Sequence, residues 1–218
     1  GFMPEGLPDF SDGFDVYAGW EITRKGDNSL TPEQNRLLAY GAPLFLYNDD
    51  NVDSLESTAG TDTLKEMLEE WWEVTDRKSA LETISWLLNE GQHAGADPAL
   101  TEIRQRGIEA ITEEEKADED SKIGDAFTIA EFVMGVNETT EADLPETVLA
   151  WDLVRAVNMA RWAFICGYIN EDEMWEAIRT TAGVAKESFN SWEEYGNSFA
   201  VGRGIWRGET DDYETADE

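Results

Sequence analysis

The residues able to do chemistry in this 218-residue chain are few, and most of them gather in one stretch. Between positions 147 and 207, Asp152, Arg155, Arg161 and Arg203 stand among Trp151, Trp192 and Tyr195. An arginine set among aromatic rings must find a carboxylate, or a ring to stack on, if it is buried. Two arrangements meet that need. One is an internal ion-pair network that fixes helices to one another. The other is a pocket lined by Trp151, Asp152, Arg155, Arg161, Trp192, Tyr195 and Arg203 that takes a small anionic ligand or carries a reaction. The network is the expectation, because buried charges are usually paired.

Elsewhere the chemistry is sparse. His93 is the sole histidine, which excludes a multi-histidine metal site, and no Cys/His cluster replaces it. As a general base it has no evident nucleophile, since the single cysteine, Cys166, lies in an apolar stretch where a thiol is packing. "NDDNVD" (48–53) sets Asp49, Asn51 and Asp53 at calcium-loop spacing, but Ser54 stands where glycine is wanted and Gly60 where glutamate is wanted. The plainer expectation is a solvated turn. Glu171/Glu173 and Glu193/Glu194 fall in first helical turns, where capping and the helix dipole already account for them. "GRG" (202–204) does not follow a strand and open a helix as a phosphate-cradling loop does. No catalytic residue, metal site or cofactor is expected from these patterns.

Charge is the dominant compositional feature. The net charge is −32, and its layout is uneven. Residues 1–146 carry 10 basic and 34 acidic side chains, residues 147–207 carry 6 and 8, and the last 11 add 6 acidic and no basic ones. Such a field repels nucleic acids and anionic membranes and attracts basic partners or cations, although solubility or adaptation to salt also accounts for it. No apolar run reaches transmembrane length and no secretory signal is evident; the single cysteine can form no intrachain disulfide, so a reducing cytoplasm is the expected home.

The elements that must position these residues are helical. "TPEQNRLLAYG" has Thr31 as N-cap, Pro32 at the first position, Gln34 closing a capping box and Gly41 as a stop. After a polar loop at 48–60, Leu64, Met67, Leu68 and Trp71 share one helix face. The next helix is capped by Thr75, carries Leu81, Ile84, Leu87 and Leu88, and ends at Gly91. Asp97 and Pro98 are expected to open another. Residues 112–125 are too acidic to pack, and 126–136 fits either a short buried helix or a strand. A long, mostly buried helix follows, with Leu149, Leu153, Ala156, Ala160 and Ala163 on one side and Gly167 after it. Asn170 and Glu173 form a capping box for a helix whose inner stripe is Met174, Ile178, Ala182, Ala185 and Phe189. Ser191 and Glu194 open the last helix, where Trp192, Tyr195, Phe199, Gly202 and Trp206 lie on one face. There, Gly202 admits a neighbouring helix and Gly204 ends or bends the chain.

The expectation is an all-α, single helical domain of about seven to nine helices. Residues 1–60 form an N-terminal extension, 61–207 the core, and 208–218 a disordered acidic tail.

"WWEVTDRKSALETISWLLNEGQ", "AWDLVRAVNMARWAFICGYINEDEMWEAI" and "FNSWEEYGNSFAVGRGIW" resemble, in that order, a mainly bacterial family catalogued as domain of unknown function 1266. The resemblance covers roughly residues 70–207 and implies a soluble bacterial protein, with no reaction, cofactor or catalytic residue attached. Residues 1–60 and the acidic tail fall outside its pattern. Charge and missing signatures together point to a non-enzymatic interaction protein that binds a basic protein partner, as an inhibitor or immunity-type protein does; the alternative is the arginine–tryptophan pocket.

Overall fold

Helix boundaries follow the capping chemistry at several starts and depart from it at two that matter. A computed structural model describes residues 22–208, which are helical with no strand among them. Their contacts group into two compact units, 22–89 with 153–192 and 90–152 with 193–208.

The first unit begins with α1 (Pro32–Leu38). Thr31 accepts from the Gln34 amide while the Gln34 side chain accepts from the Thr31 amide, so both partners of the expected capping box are present. Gly41 does not stop the chain. A 3-10 turn (Ala39–Gly41) leads directly into α2 (Ala42–Tyr47). The glycine is needed for close approach instead: a Cβ there would lie 2.6 Å from Val157 Cγ1.

Then come α3 (Thr61–Trp72) and α4 (Arg77–Asn89). The cap of α4 is Asp76 rather than Thr75. Its carboxylate accepts from the Ser79 amide at 2.8 Å, and Ser79 Oγ accepts from the Asp76 amide at 3.1 Å. The Ser79 amide and hydroxyl, both donating to the carboxylate, hold the Asp76 carboxyl below its ordinary pKa.

The helix α8 (Leu149–Ile165) is buried from Ala150 to Ala163, the polar Asp152, Arg155, Asn158 and Arg161 included. Its residues from Leu153 onward belong to the first unit. Gly167, at φ +77, turns the chain. Asn170 then caps α9 (Glu171–Ser188) in a box with Glu173, and the stripe from Met174 to Phe189 is buried as expected.

The second unit holds α5 (His93–Arg106), the short α6 (Glu113–Lys116), α7 (Ile123–Asn137), the first turn of α8, and most of α10 (Trp192–Arg207). The ambiguous run at 126–136 lies inside α7. Its core joins Leu100, Ile103, Ile129, Val133, Val148 and Ile205. In α10 the two glycines have the same task. A Cβ on Gly202 would meet Trp151 Cβ at 2.7 Å, and one on Gly204 would meet Ile129 Cδ1 at 3.0 Å. Gly204 therefore does not end the helix, which runs on to Arg207. The acidic tail expected at 208–218 lies, from residue 209, outside the described residues.

Candidate functional site

Two aspartates organise the second unit, each serving the start of the other's helix. Proline 98 does not open a helix. α5 begins five residues earlier at His93, and Asp97 lies within it. Released from capping its own helix, the Asp97 carboxylate accepts from the Val148 amide at 2.8 Å and from Thr147 Oγ at 2.6 Å, just before α8. Asp152, in the first turn of α8, does the converse. It accepts from the amides of Gln92 and His93 at 3.0 and 2.8 Å, where α5 begins. Both helix starts expose amides without intrahelical partners and carry a partial positive charge, so each draws a carboxylate.

The side chain of His93 completes this arrangement. Its Nδ1 lies 2.7 Å from Asp152 Oδ2, and a carboxylate acceptor fixes the proton on that nitrogen. The Asp152 side chain is fully buried, and 18% of the His93 side chain is exposed. An imidazole held in one tautomer by a buried aspartate is the orienting half of an acid–base device. Gly91 makes the geometry possible: at φ +51, it would bring a Cβ to 2.5 Å from the Asp152 carboxyl carbon. Burial raises the Asp97 carboxyl above its ordinary pKa, against the hydrogen bonds from Thr147 and Val148. The charge of His93 also works to lower it and that of Asp152 to raise it.

Beside α5 opens a cleft of about 460 Å³. Glu102, Glu115, Asp118, Asp120 and Lys122 line it together with Pro98, Ala99 and Ile123, and Arg106 pairs with both Glu102 and Glu115. Pro98, inside α5, has no N–H to donate to the Ala94 carbonyl four residues before it, and both residues line the cleft. Glu115 is pinned by Arg106 at 2.7 Å and by Thr112, which together bring its pKa down to about 2. It is thus ionised throughout the neutral range.

In the first unit, the loop expected as a solvated turn is instead partly internal. Asp50, Asn51 and Ser54 are buried. Asp50 accepts from Ser57 Oγ at 2.7 Å and the Thr58 amide at 2.7 Å. Asn51 donates to the Glu56 carbonyl, and Asp53 accepts from the amides of Lys25 and Gly26. The calcium-spaced side chains Asn51 and Asp53 are thus tied to backbone. No group of three or more His, Cys, Asp or Glu able to hold a metal occurs among the described residues.

Arg161 reaches this loop from α8. Its guanidinium donates to the Glu56 and Leu55 carbonyls, lies 3.4 Å from Asp50 and stacks 4.6 Å over Phe45. Burial lowers its pKa and Asp50 opposes the drop.

The seven residues singled out in the sequence fall in both units. Arg155, Arg161 and Trp192 belong to the first; Trp151, Asp152, Tyr195 and Arg203 belong to the second. Arg155 stands 5.6 Å over the Trp72 ring, and the Trp192 ring lies 4.7 Å from that of Tyr40. Trp151 packs against Phe199 and Trp206, each at 5.5 Å, and Tyr195 is buried. Arg203 is half-buried on α10. None of the seven lines the acidic cleft.

His93 and Asp97 were not grouped with Asp152 by sequence, being 59 and 55 positions from it. One signal was available: Gly91-Gln92-His93 opens a helix with no capping side chain of its own, so its amides must be capped from elsewhere.

Fold and site together define an all-α protein with reciprocally capped helices and an acid-lined cleft. The chain belongs to the family of proteins of unknown function DUF1266, whose model matches residues 67–218. The match takes in the acidic tail, which the sequence motifs had left outside. No curated protein and no solved structure matches the chain. No helix among the described residues is long and apolar enough to cross a membrane.

Proposed function

We propose that this protein is a non-enzymatic, acidic helical interaction protein of the bacterial cytoplasm that binds a basic protein partner, in the manner of an inhibitor or immunity protein. The acid-lined cleft beside α5 supports the reading, because four acidic residues and one lysine line it, and while Arg106 pairs with Glu102 and Glu115, Asp118 and Asp120 have no ion-pair partner among the described residues. A lysine or arginine side chain inserted from a partner would meet carboxylates at the rim and apolar surface below. The −32 net charge would speed the encounter and make it salt-sensitive. Glu102→Gln combined with Asp118→Asn and Asp120→Asn should weaken capture of the partner from lysate at low salt. Loss of salt-sensitive capture from the wild type itself, or capture unchanged in the variant, refutes the reading.

A second reading, a small anionic-ligand-binding or enzymatic pocket lined by arginine and tryptophan in residues 147–207, draws support from Asp152, which adds the His93 imidazole from outside that segment. It predicts that His93→Gln abolishes turnover or binding of a small anion while far-UV circular dichroism is unchanged. An unaltered response in that variant removes it.

A further inference from the structure

The last turn of α3 breaks two ordinary rules of helix design. Leu64 and Leu68 are buried, yet Trp71, on the same apolar face, is 78% exposed. The helix stop explains why. Glu73 adopts the left-handed conformation at φ 56, and the Val74 amide reaches back to the Leu68 carbonyl at 2.9 Å. Val74 is fully buried and fills the core position that another helical turn would have supplied, so the apolar face ends uncovered at Trp71.

The second broken rule is electrostatic. A helix C-terminus carries partial negative charge and favours lysine or arginine. The last turn of α3 has no basic residue, and exposed Glu69, Glu70 and Glu73 crowd it. None of the three forms an ion pair among the described residues. The nearest cations of the next helix are engaged elsewhere, Arg77 with Glu173 and Lys78 with Glu82. Lys65 lies on α3 itself, more than a turn earlier.

We infer that this end of α3 is the docking point for a basic protein segment, which lays an apolar side chain and a neighbouring lysine or arginine against the Trp71 indole. The inference rests on the reading of a basic partner and adds the surface it uses. Charge decides the occupant. Residues 1–21 of this chain carry five acidic and no basic side chains, and residues 209–218 carry six and none. A second copy brings −32. Each would set like charge against Glu69, Glu70 and Glu73, whereas a cationic segment is drawn by those carboxylates, by the helix end and by the indole face.

The test titrates the whole protein with a synthetic amphipathic Lys/Leu peptide, with a Glu/Leu peptide of the same pattern as control, at near-physiological salt. Binding of the Lys/Leu peptide should weaken about tenfold in Trp71→Ala and in the triple variant Glu69→Gln/Glu70→Gln/Glu73→Gln. Trp71→Phe should retain most of the affinity, and helicity should stay at the wild-type level in all three. The docking point is overturned if Trp71→Ala binds as wild type does, or if the Glu/Leu peptide binds equally. It is also overturned if sedimentation shows a dimer that Trp71→Ala abolishes, which would make a second copy the occupant. Binding that ignores Trp71 but vanishes in the cleft variant overturns this surface and spares the basic-partner reading. No binding of the Lys/Leu peptide even at low salt overturns both.

Discussion

The same substitution, glycine to alanine within a helix, should change stability in opposite directions at two positions. In α10, a methyl on Gly202 meets Trp151 Cβ at 2.7 Å, Val148 Cβ at 2.9 Å and the Val148 carbonyl oxygen at 3.1 Å. Unstrained carbon contacts begin near 3.5 Å, so the overlap with Trp151 is about 0.8 Å. All three atoms sit on or beside backbone and cannot rotate away. Forcing a methylene-sized group into a packed site costs about 1–3 kcal/mol, and these contacts place Gly202→Ala at the upper end. Against that stands a helix-propensity gain of about 1 kcal/mol. The net expectation is destabilisation by about 2 kcal/mol. In α9, a methyl on Gly183 meets nothing within 4 Å, so only the gain remains and Gly183→Ala should stabilise by about 1 kcal/mol. Urea unfolding followed by far-UV circular dichroism reads both. With a slope of about 2–3 kcal/mol/M, the midpoints should move by roughly 0.7–1 M down for the first and 0.3–0.5 M up for the second. Shifts of the same sign, or a Gly202→Ala protein as stable as wild type at unchanged slope, would refute the close-approach reading of α10.

Other consequences can be checked with the same assay. Arg161→Ala leaves the buried Asp50 without its cation and removes donors from two loop carbonyls, and should cost about 3 kcal/mol or more. A thermal midpoint within a degree or so of wild type would contradict that. Gly91→Ala adds a Cβ at 2.5 Å from the Asp152 carboxyl carbon at a positive φ, and should destabilise by more than the about 1 kcal/mol of an ordinary Gly→Ala strain. Its signature is faster hydrogen exchange at the Gln92 and His93 amides; unchanged protection there would contradict the capping role of Asp152. For Glu115, the folded pKa of about 2 lies below its ordinary 4.5. Its contribution is therefore complete above about pH 4.5 and is lost as the pH falls toward 2. Glu115→Gln should lose less stability than wild type across that window, and parallel acid-unfolding profiles would contradict it. The Asp97 shift runs the other way, so Asp97 should gain from protonation as the pH falls through its raised pKa. Asp97→Asn should remove that gain from the wild-type profile, and an unchanged profile would argue against a buried, ionised Asp97.

Much of the helical framework was legible because its signals are local. Thr31 with Gln34 and Asn170 with Glu173 each complete a capping box within four residues. The stripe from Met174 to Phe189 is buried as its spacing implies, and so is the side of α8 that carries Leu153, Ala156, Ala160 and Ala163. Errors arose where a residue's partner is distant along the chain. Asp97 and Pro98 looked like a helix start because that dipeptide commonly is one, yet the Asp97 partners are Thr147 and Val148. Thr75 and Asp76 are both good caps, and only the Ser79 geometry chose between them. Gly41 and Gly204 looked like stops, because a string of letters cannot show that Val157 or Ile129 presses against them.

By itself the sequence determined the all-α class, the acidic field, the family motifs and the apolar faces, since composition and periodicity within a few residues suffice for those. Only the tertiary structure decided that Asp152 and His93 meet, that Asp97 serves another helix, that the 48–60 loop turns inward around Asp50, and that Trp71 stays outside. The physical reason is one of range. A cap or a stripe is satisfied by neighbours in the chain, whereas a buried carboxylate or a crowded glycine is defined by atoms that the fold brings from dozens of residues away.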